Sequence, residues 1–430
     1  MTTILQIKTI NFRLLLVCVA AASVSLPMAL VSIAKVLLLV GGGAIVLLGK
    51  RKSTDPASRP VFQRTSIAIV FTLLAFAISL WWTTAPQAEA LQALGKYGKL
   101  LMIPLIVILL RSRREARYAL AVFALAQLFL LSSSWMLFLR IPVPWATSPN
   151  ALIQHAAFSS YLDESIMSAV VAALCWHLRS MVPGRYGQAI AVTVMMLALG
   201  NVFFVFNGRS GHFAAIAVVS LAIMWKLPAK TRVVAVMLPF VLLFAVSMVS
   251  LKVQSRLTQV VQEVQAFSFD KGADVYNGSS SGIRLHFWHR AVQSIEKKPF
   301  AGAGIGSWTN EFNSIELAHS SSPQQIAPLG NPHQEYLLWG VQLGIPGIAL
   351  FLILIVSMLR DTFRMDEKIA HATQSVLAAF VVVCFFNSSL YDALIGDFLC
   401  VILGLLLALG FQTPVVAPVH LNDAMEPTGT

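Results

Sequence analysis

A histidine, an amide and a carboxylate lie together in the segment Asn331–Tyr336, directly before an apolar run that begins at Leu337. Ionisable groups at the mouth of a hydrophobic span are costly to place there, and they are often functional. A positioned histidine is also the commonest general base in enzymes. We therefore interpret His333 as a candidate catalytic base and Gln334 as a candidate supporting residue.

Arginines form the second group of candidates, because a guanidinium can bind phosphate through two parallel hydrogen bonds. Arg284 falls in the first turn of a helix predicted from Ile283 to about Lys298, where free backbone N–H groups favour an anion. Arg209, in the short turn Asn207–His212, either contacts a ligand or snorkels to lipid headgroups. Arg290 is a candidate for a third phosphate contact.

Three further residues are candidates for supporting contacts. His286 and Trp288 lie on the predicted helix that carries Arg284. Trp288 is either a platform for a sugar or a core residue, because helical spacing predicts one apolar stripe along this helix. The residues of that predicted stripe are Leu285, Trp288, Val292 and Ile295. Asp392 ends the turn Asn387–Asp392 and pairs either with an arginine or with solvent.

The elements that position these residues are predicted to be transmembrane helices. The 430 residues are 57% hydrophobic and 12% charged, far below the roughly one quarter of charged residues in soluble domains. About twelve apolar stretches approach or exceed the roughly 20 residues that cross a bilayer, so an all-α polytopic membrane protein is predicted. They lie near 12–30, 31–49, 62–82, 97–110, 116–139, 163–181, 186–206, 211–227, 232–250, 336–359, 372–388 and 394–412.

The formal charge of +12 could indicate nucleic-acid binding, but the distribution of the basic residues argues against it. Most of them lie in short segments beside helix ends, on the side that holds the N-terminus, as the positive-inside rule expects of the cytoplasmic side. We therefore expect cytoplasmic N- and C-termini and no nucleic-acid partner. Lys35, inside the second apolar stretch, must snorkel or find a partner, and we interpret it as snorkelling.

One long polar segment divides the helices. Transmembrane helices one to nine are predicted within residues 1–251, a loop with amphipathic helices within 252–335, helices ten to twelve within 336–413, and a cytoplasmic tail at 414–430. Within the loop, apolar residues at helical spacing from Leu257 to Phe267 predict one amphipathic helix. The glycine-rich stretch Phe300–Gly306 lacks a preceding strand and a closing Gly-Lys-Ser, so a structural turn is predicted rather than a nucleotide loop.

No metal or cofactor is expected. The four cysteines lie inside apolar stretches without a paired spacing, the external segments hold no Asp-x-Asp pair, and the chain has no His-Glu-x-x-His motif. A single base beside arginines at the membrane surface fits transfer of a sugar from a lipid diphosphate to a hydroxyl. The arginines would stabilise the departing diphosphate, which leaves without a general acid.

The order of these features resembles the O-antigen ligase (WaaL) family. The resemblance rests on the turn Asn207–His212, on Ser281–Arg284 and Pro299–Gly304 in the long loop, and on Asn331–Tyr336. It implies an integral inner-membrane glycosyltransferase of GT-C-like architecture that needs no metal. The enzymes of this family move O-antigen polysaccharide from undecaprenyl diphosphate to the lipid A–core oligosaccharide on the periplasmic side.

Carried over by position, the resemblance implies that His333 is the essential histidine, that Arg209 and Arg284 are the two essential arginines, and that Asp392 is an assisting acid. Gln334 departs from the asparagine that is more common there. The related O-antigen polymerases and protein O-oligosaccharyltransferases, which use the same donor, are alternatives. A transporter of lipid-linked sugar is a further alternative, although transporters usually bind at the membrane midplane and these polar groups lie on one face.

Overall fold

A computed structural model describes residues 2–48, 63–266, 280–319 and 330–411, and within these ranges the chain forms helices and no strand. The predicted tail at 414–430 lies outside the described residues. The helices are α1 (Thr2–Ser23), α2 (Met28–Leu48), α3 (Arg64–Trp81), α4 (Gln87–Leu109), α5 (Arg113–Phe138), α6 (Tyr161–Leu178), α7 (Gly184–Val205), α8 (Arg209–Met224), α9 (Leu238–Val249), α10 (Leu251–Ala266), α11 (Ser280–Lys297), α12 (Trp308–His319), α13 (Glu335–Thr362), α14 (Glu367–Phe386) and α15 (Ala393–Phe411).

Every predicted apolar stretch overlaps one of these helices, which confirms an all-α polytopic membrane protein. Among the described residues, eight helices are long and apolar enough to cross a membrane. The helices α9 and α10 make a ninth candidate, bent by 115° at their junction. Two shorter apolar segments overlap further predicted stretches: Phe12–Ser23, which is part of α1, overlaps the one near 12–30, and α8 overlaps the one near 211–227. The helix α6 overlaps the stretch near 163–181.

The last helix, α15, forms the centre of the bundle. It is apolar on all sides, as expected of a helix surrounded by protein, and nearly all of its residues are buried. It packs against α4, α5 and α14, while α8 packs between α6 and α14 and α13 packs against α3 and α14. The candidate residues lie at the ends of these central helices or in the segments that connect them.

Lys35 does not snorkel, so that interpretation is wrong. Its Nζ lies 2.7 Å from Oδ2 of Asp397, which is 2% exposed within α15, and the Nζ of the buried Lys99 lies 3.9 Å from Oδ1 of the same carboxylate. An opposite charge nearby removes the need to reach the membrane surface, because a paired charge is far less costly to bury than an isolated one.

The glycine-rich stretch is the structural turn that its sequence predicts. Its backbone pairs with a break in α13, where the N–H groups of Ala303 and Gly304 donate to the carbonyl oxygens of Val341 and Gln342 over 2.8 and 2.9 Å. At that break Gly344 has φ of +72°, and the N–H of Ile345 donates to the carbonyl of Pro299 over 2.8 Å. The break therefore connects the long loop to the membrane helices.

Replacing Gly344 by alanine should destabilise the protein by at least about 2 kcal/mol, because a positive φ is strained for an L side chain and the new Cβ would meet the carbonyl oxygen of Pro299. Gly95, in α4, is the matched control, since a Cβ there meets nothing within 4 Å. In a thermal-melt assay in detergent, Gly344→Ala should melt lower than wild type and Gly95→Ala should not. Equal melting temperatures for the two variants would contradict this assignment of the break.

Candidate active site

Four segments converge at one end of the helix bundle. They are the N-terminus of α8, the N-terminal half of α11, the segment 331–334 that leads into α13, and the turn 387–392 between α14 and α15. Side-chain hydrogen bonds join them, and these include Arg284 Nη2 to Asn387 Oδ1 at 3.2 Å and Asn387 Nδ2 to Ser210 Oγ at 2.9 Å. Residues far apart in the sequence thereby form one polar cluster.

His333 is held in an unusual backbone conformation. Its φ is +54°, which only a small percentage of non-glycine residues adopt, and its N–H donates to Oδ1 of Asn331 over 2.9 Å. The imidazole stacks on Phe287 of α11, with ring centroids 6.2 Å apart. Burial, and then repulsion by Arg284, lowers the pKa of His333 below its ordinary value, so the imidazole is neutral near pH 7 and can accept a proton.

Asp392 is connected to His333 through Asn331. The amide Nδ2 of Asn331 lies 3.5 Å from Oδ1 of Asp392, while its Oδ1 holds the backbone of His333. Burial and the nearby Asp163 raise the pKa of Asp392 to about 6, although Lys99 and Lys96 act in the opposite direction. In the described residues Asp392 makes no ion pair with an arginine; its side chain faces Asn331 instead.

The two candidate arginines are neighbours. Burial lowers the pKa of Arg284, and repulsion by Arg209 lowers it further. The Nη1 of Arg209 donates to Ser281 Oγ over 2.6 Å, and its Nη2 lies 3.5 Å from Oε2 of Glu263 on α10. Two guanidinium groups close together can bind a ligand with more than one negative charge.

Arg290 belongs to a different group of residues. Its Nε pairs with Oε1 of Glu316 on α12, its Nη1 donates to Gln293 over 2.9 Å, and its side chain is buried. Oε1 of Glu316 also lies 2.8 Å from Nε2 of His286. Burial lowers the pKa of His286 to about 4. Phosphate binding by Arg290 and support by His286 stay predictions, and in this structure both side chains connect α11 to α12.

The predicted apolar stripe of α11 is wrong at its centre. Phe287 and Ala291 are buried, whereas Val292 is 41% exposed and Trp288 is only partly buried. The helix is covered on two sides, by α12 and α13, so that the buried face lies one position away from the predicted one. Gln334, the residue before α13, is buried at 7% exposure.

Sequence reasoning did not assign a role to Glu335, which lies two residues after His333. This fully buried carboxylate accepts four hydrogen bonds: from Tyr97 at 3.3 Å, from Trp339 at 2.9 Å, and from the backbone N–H groups of Leu390 and Tyr391 at 3.0 and 3.1 Å. It thereby fixes the start of α13 to the turn that contains Asp392. The position of this carboxylate in the same short segment as His333 was the sequence signal that could have identified it as a structural residue.

The cluster combines a neutral imidazole with two guanidiniums, and it can therefore accept a proton beside a bound anion. Within the described residues, no three His, Cys, Asp or Glu side chains gather in a group that could hold a metal ion. The fold defines a polytopic helical membrane protein, and His333, Arg209 and Arg284 form a polar cluster at one end of its bundle.

Comparison with known proteins supports the resemblance to the O-antigen ligase family. The model of the O-antigen ligase family matches residues 194–352, a range that contains Arg209, Arg284 and His333. A provisionally named polysaccharide ligase of Rickettsia conorii is 30% identical over 91 residues, which are 21% of this chain and 22% of that protein. The chain thus aligns with less than a quarter of that relative's length. The resemblance to the O-antigen ligase family is confirmed, and the match to the family model covers residues 194–352.

Replacing Glu335 by glutamine should destabilise the protein by about 2 kcal/mol, because an amide nitrogen would face donors that the carboxylate now accepts. A fall in the melting temperature in detergent should accompany faster amide exchange at Leu390 and Tyr391, measured by hydrogen–deuterium exchange. Glu296, an exposed residue of α11, provides the control Glu296→Gln, which removes the same charge. If Glu335→Gln and Glu296→Gln behave alike, Glu335 does not fix the turn.

Proposed function

We propose that the protein is an O-antigen ligase. It transfers O-antigen polysaccharide from undecaprenyl diphosphate to a hydroxyl group of the lipid A–core oligosaccharide, with inversion at the anomeric carbon. The reaction takes place on the periplasmic side of the bacterial inner membrane, and the N- and C-termini are cytoplasmic. The membrane-length helices and the family match at residues 194–352 support this proposal.

The observation that carries the proposal is the bridge made by Asn387. Its amide joins Arg284 of the long loop to Ser210, the neighbour of Arg209, at 3.2 and 2.9 Å. Arg209 lies close enough to Arg284 to repel it, and Arg284 lies close enough to His333 to disfavour its charged form. A diphosphate bound by the arginines would leave the attached anomeric carbon near a neutral base.

His333 acts as the general base. Its imidazole takes the proton from the acceptor hydroxyl as the oxygen attacks the anomeric carbon, the bond from that carbon to the diphosphate oxygen breaks, and the diphosphate leaves with the bonding electrons. Such base assistance is typically worth about 10² to 10⁴ in rate. Asn331 and Asp392 position His333 by fixing its backbone, since a catalytic group must be held in place by its neighbours.

Arg209 and Arg284 stabilise the negative charge that grows on the diphosphate. Fixed cationic donors in a site of low dielectric need little reorganisation during the reaction, so they lower the barrier effectively. The arginines thus take the role that metal ions have in other phosphate chemistry, and the proposed reaction uses no metal or other cofactor.

The direct test is transfer in vitro with purified protein, undecaprenyl-diphosphate glycan and lipid A–core in the presence of EDTA, followed on a gel. Wild type should form capped lipid A–core, and His333→Ala should lose at least about 100-fold in rate because the base is absent. His371, towards the opposite end of α14 from the site, gives the control His371→Ala, which should retain transfer.

The other possible results of this assay would contradict the proposal in different ways. Transfer by His333→Ala at the wild-type rate would remove His333 from the mechanism. Failure of wild type with a competent donor would contradict the ligase proposal. Longer lipid-linked glycan would then indicate a polymerase, and glycosylated protein would indicate a protein O-oligosaccharyltransferase.

The pH dependence of transfer follows from the pKa of His333. The base must be neutral, so the rate falls as the pH falls through this pKa, which lies below the ordinary value of about 6.5. The initial rate should therefore stay nearly constant from pH 8 to about 6.5 and decline at lower pH. Asp392→Asn, which removes a carboxyl group whose pKa is raised to about 6, should leave a decline below pH 6.5. A decline that begins above pH 7 in wild type would contradict a depressed pKa.

A further inference from the structure

The N-terminus of α11 already has an anion bound to it, and that anion is a side chain of the protein. Oε2 of Glu263, on α10, accepts a hydrogen bond from the backbone N–H of Ser281 over 3.0 Å. The same oxygen lies 3.5 Å from Nη2 of Arg209. A carboxylate oxygen thus occupies the kind of position in which a phosphate oxygen would meet a helix N-terminus and a guanidinium.

The surroundings of Glu263 hold its carboxylate in this place. Gln259, one turn earlier on α10, donates from Nε2 to Oε1 over 2.7 Å. Ser281 connects the two charged groups from the other side, since its hydroxyl accepts from Arg209 Nη1 over 2.6 Å. The side chain of Glu263 is 9% exposed and that of Arg209 is 19% exposed, so the ion pair is partly shielded from solvent.

We propose that Glu263 is the resident counter-ion of Arg209 and that the diphosphate of the lipid-linked donor displaces it on binding. The inference rests on the proposed function, because it takes Arg209 and Arg284 as the diphosphate ligands. Glu263 then lowers the affinity of the site for the donor, because the diphosphate must displace the carboxylate in order to bind.

The charges of the site account for the position of Glu263 both without a ligand and with a bound diphosphate. Without a ligand, Arg209 and Arg284 repel one another, and one carboxylate beside Arg209 offsets part of that repulsion. A diphosphate brings more negative charge than Glu263 does, and a carboxylate and a phosphate at the same donors would repel. The side chain of Glu263 therefore turns away when the diphosphate binds, while Ser281 and Arg209 remain as ligands.

The test measures binding of inorganic pyrophosphate to the purified full chain in detergent by isothermal titration calorimetry. Glu263→Gln keeps the size of the side chain and removes its charge, so the competing ion pair is lost. It should bind pyrophosphate about fivefold more tightly than wild type, as expected for loss of a partly exposed ion pair. Glu296→Gln, the same charge change at an exposed position of α11, should leave the affinity within about twofold of wild type.

The outcomes separate this inference from the proposed function. If Glu263→Gln binds pyrophosphate more weakly than wild type, Glu263 supports Arg209 rather than competing with the ligand, and the inference fails. An affinity equal to that of Glu296→Gln also overturns it. The variants Arg209→Ala and Arg284→Ala test the site itself: both should bind at least about tenfold more weakly, and if both bind as wild type does, the diphosphate site of the proposed function is wrong.

Discussion

The burial of Glu335 constrains the rest of the site. A carboxyl group inside a membrane bundle is costly unless its oxygens find hydrogen-bond partners, and here a tyrosine, a tryptophan and two backbone N–H groups supply them. These donors come from α4, from α13 and from the turn before α15. The arrangement of the three segments that satisfies the carboxylate also places His333 beside the turn that carries Asn387 and Asp392.

A second buried carboxylate, that of Asp397, also has partners that compensate it. Asp397 lies between Lys35 and Lys99, and Lys99 also donates to the backbone carbonyl of Asp392 over 2.5 Å. Buried ion pairs contribute little net stability, but removal of one partner leaves an uncompensated charge and is strongly destabilising. Such pairs therefore specify which helices are neighbours. In this protein they connect α2 and α4 to α15, the helix that follows the turn held by Glu335.

The sequence was sufficient to predict the membrane class, and the structure brings together three of the residues that it named as candidates. Apolar length identifies the helices, and the types of His333, Arg209 and Arg284, together with their positions before or at helix starts, identify groups that can do chemistry. The partners of these residues could not be predicted in this way. Asn387 lies 103 residues from Arg284 and Asp397 lies 362 residues from Lys35, and no periodicity relates positions so far apart. The predicted stripe on α11 was wrong for a related reason: the contacts with α12 and α13 decide which face of the helix is buried, and the sequence of α11 alone does not contain those contacts.

The central claim is that Arg209, Arg284 and His333 form one site for a lipid diphosphate and its glycan. Cryo-electron microscopy of the purified full chain with undecaprenyl diphosphate tests it most directly. The account predicts that the diphosphate lies between the two guanidiniums, with its terminal phosphate facing His333. A diphosphate bound away from both arginines, with His333 more than about 10 Å from the terminal phosphate and so beyond the reach of a general base, would contradict the account.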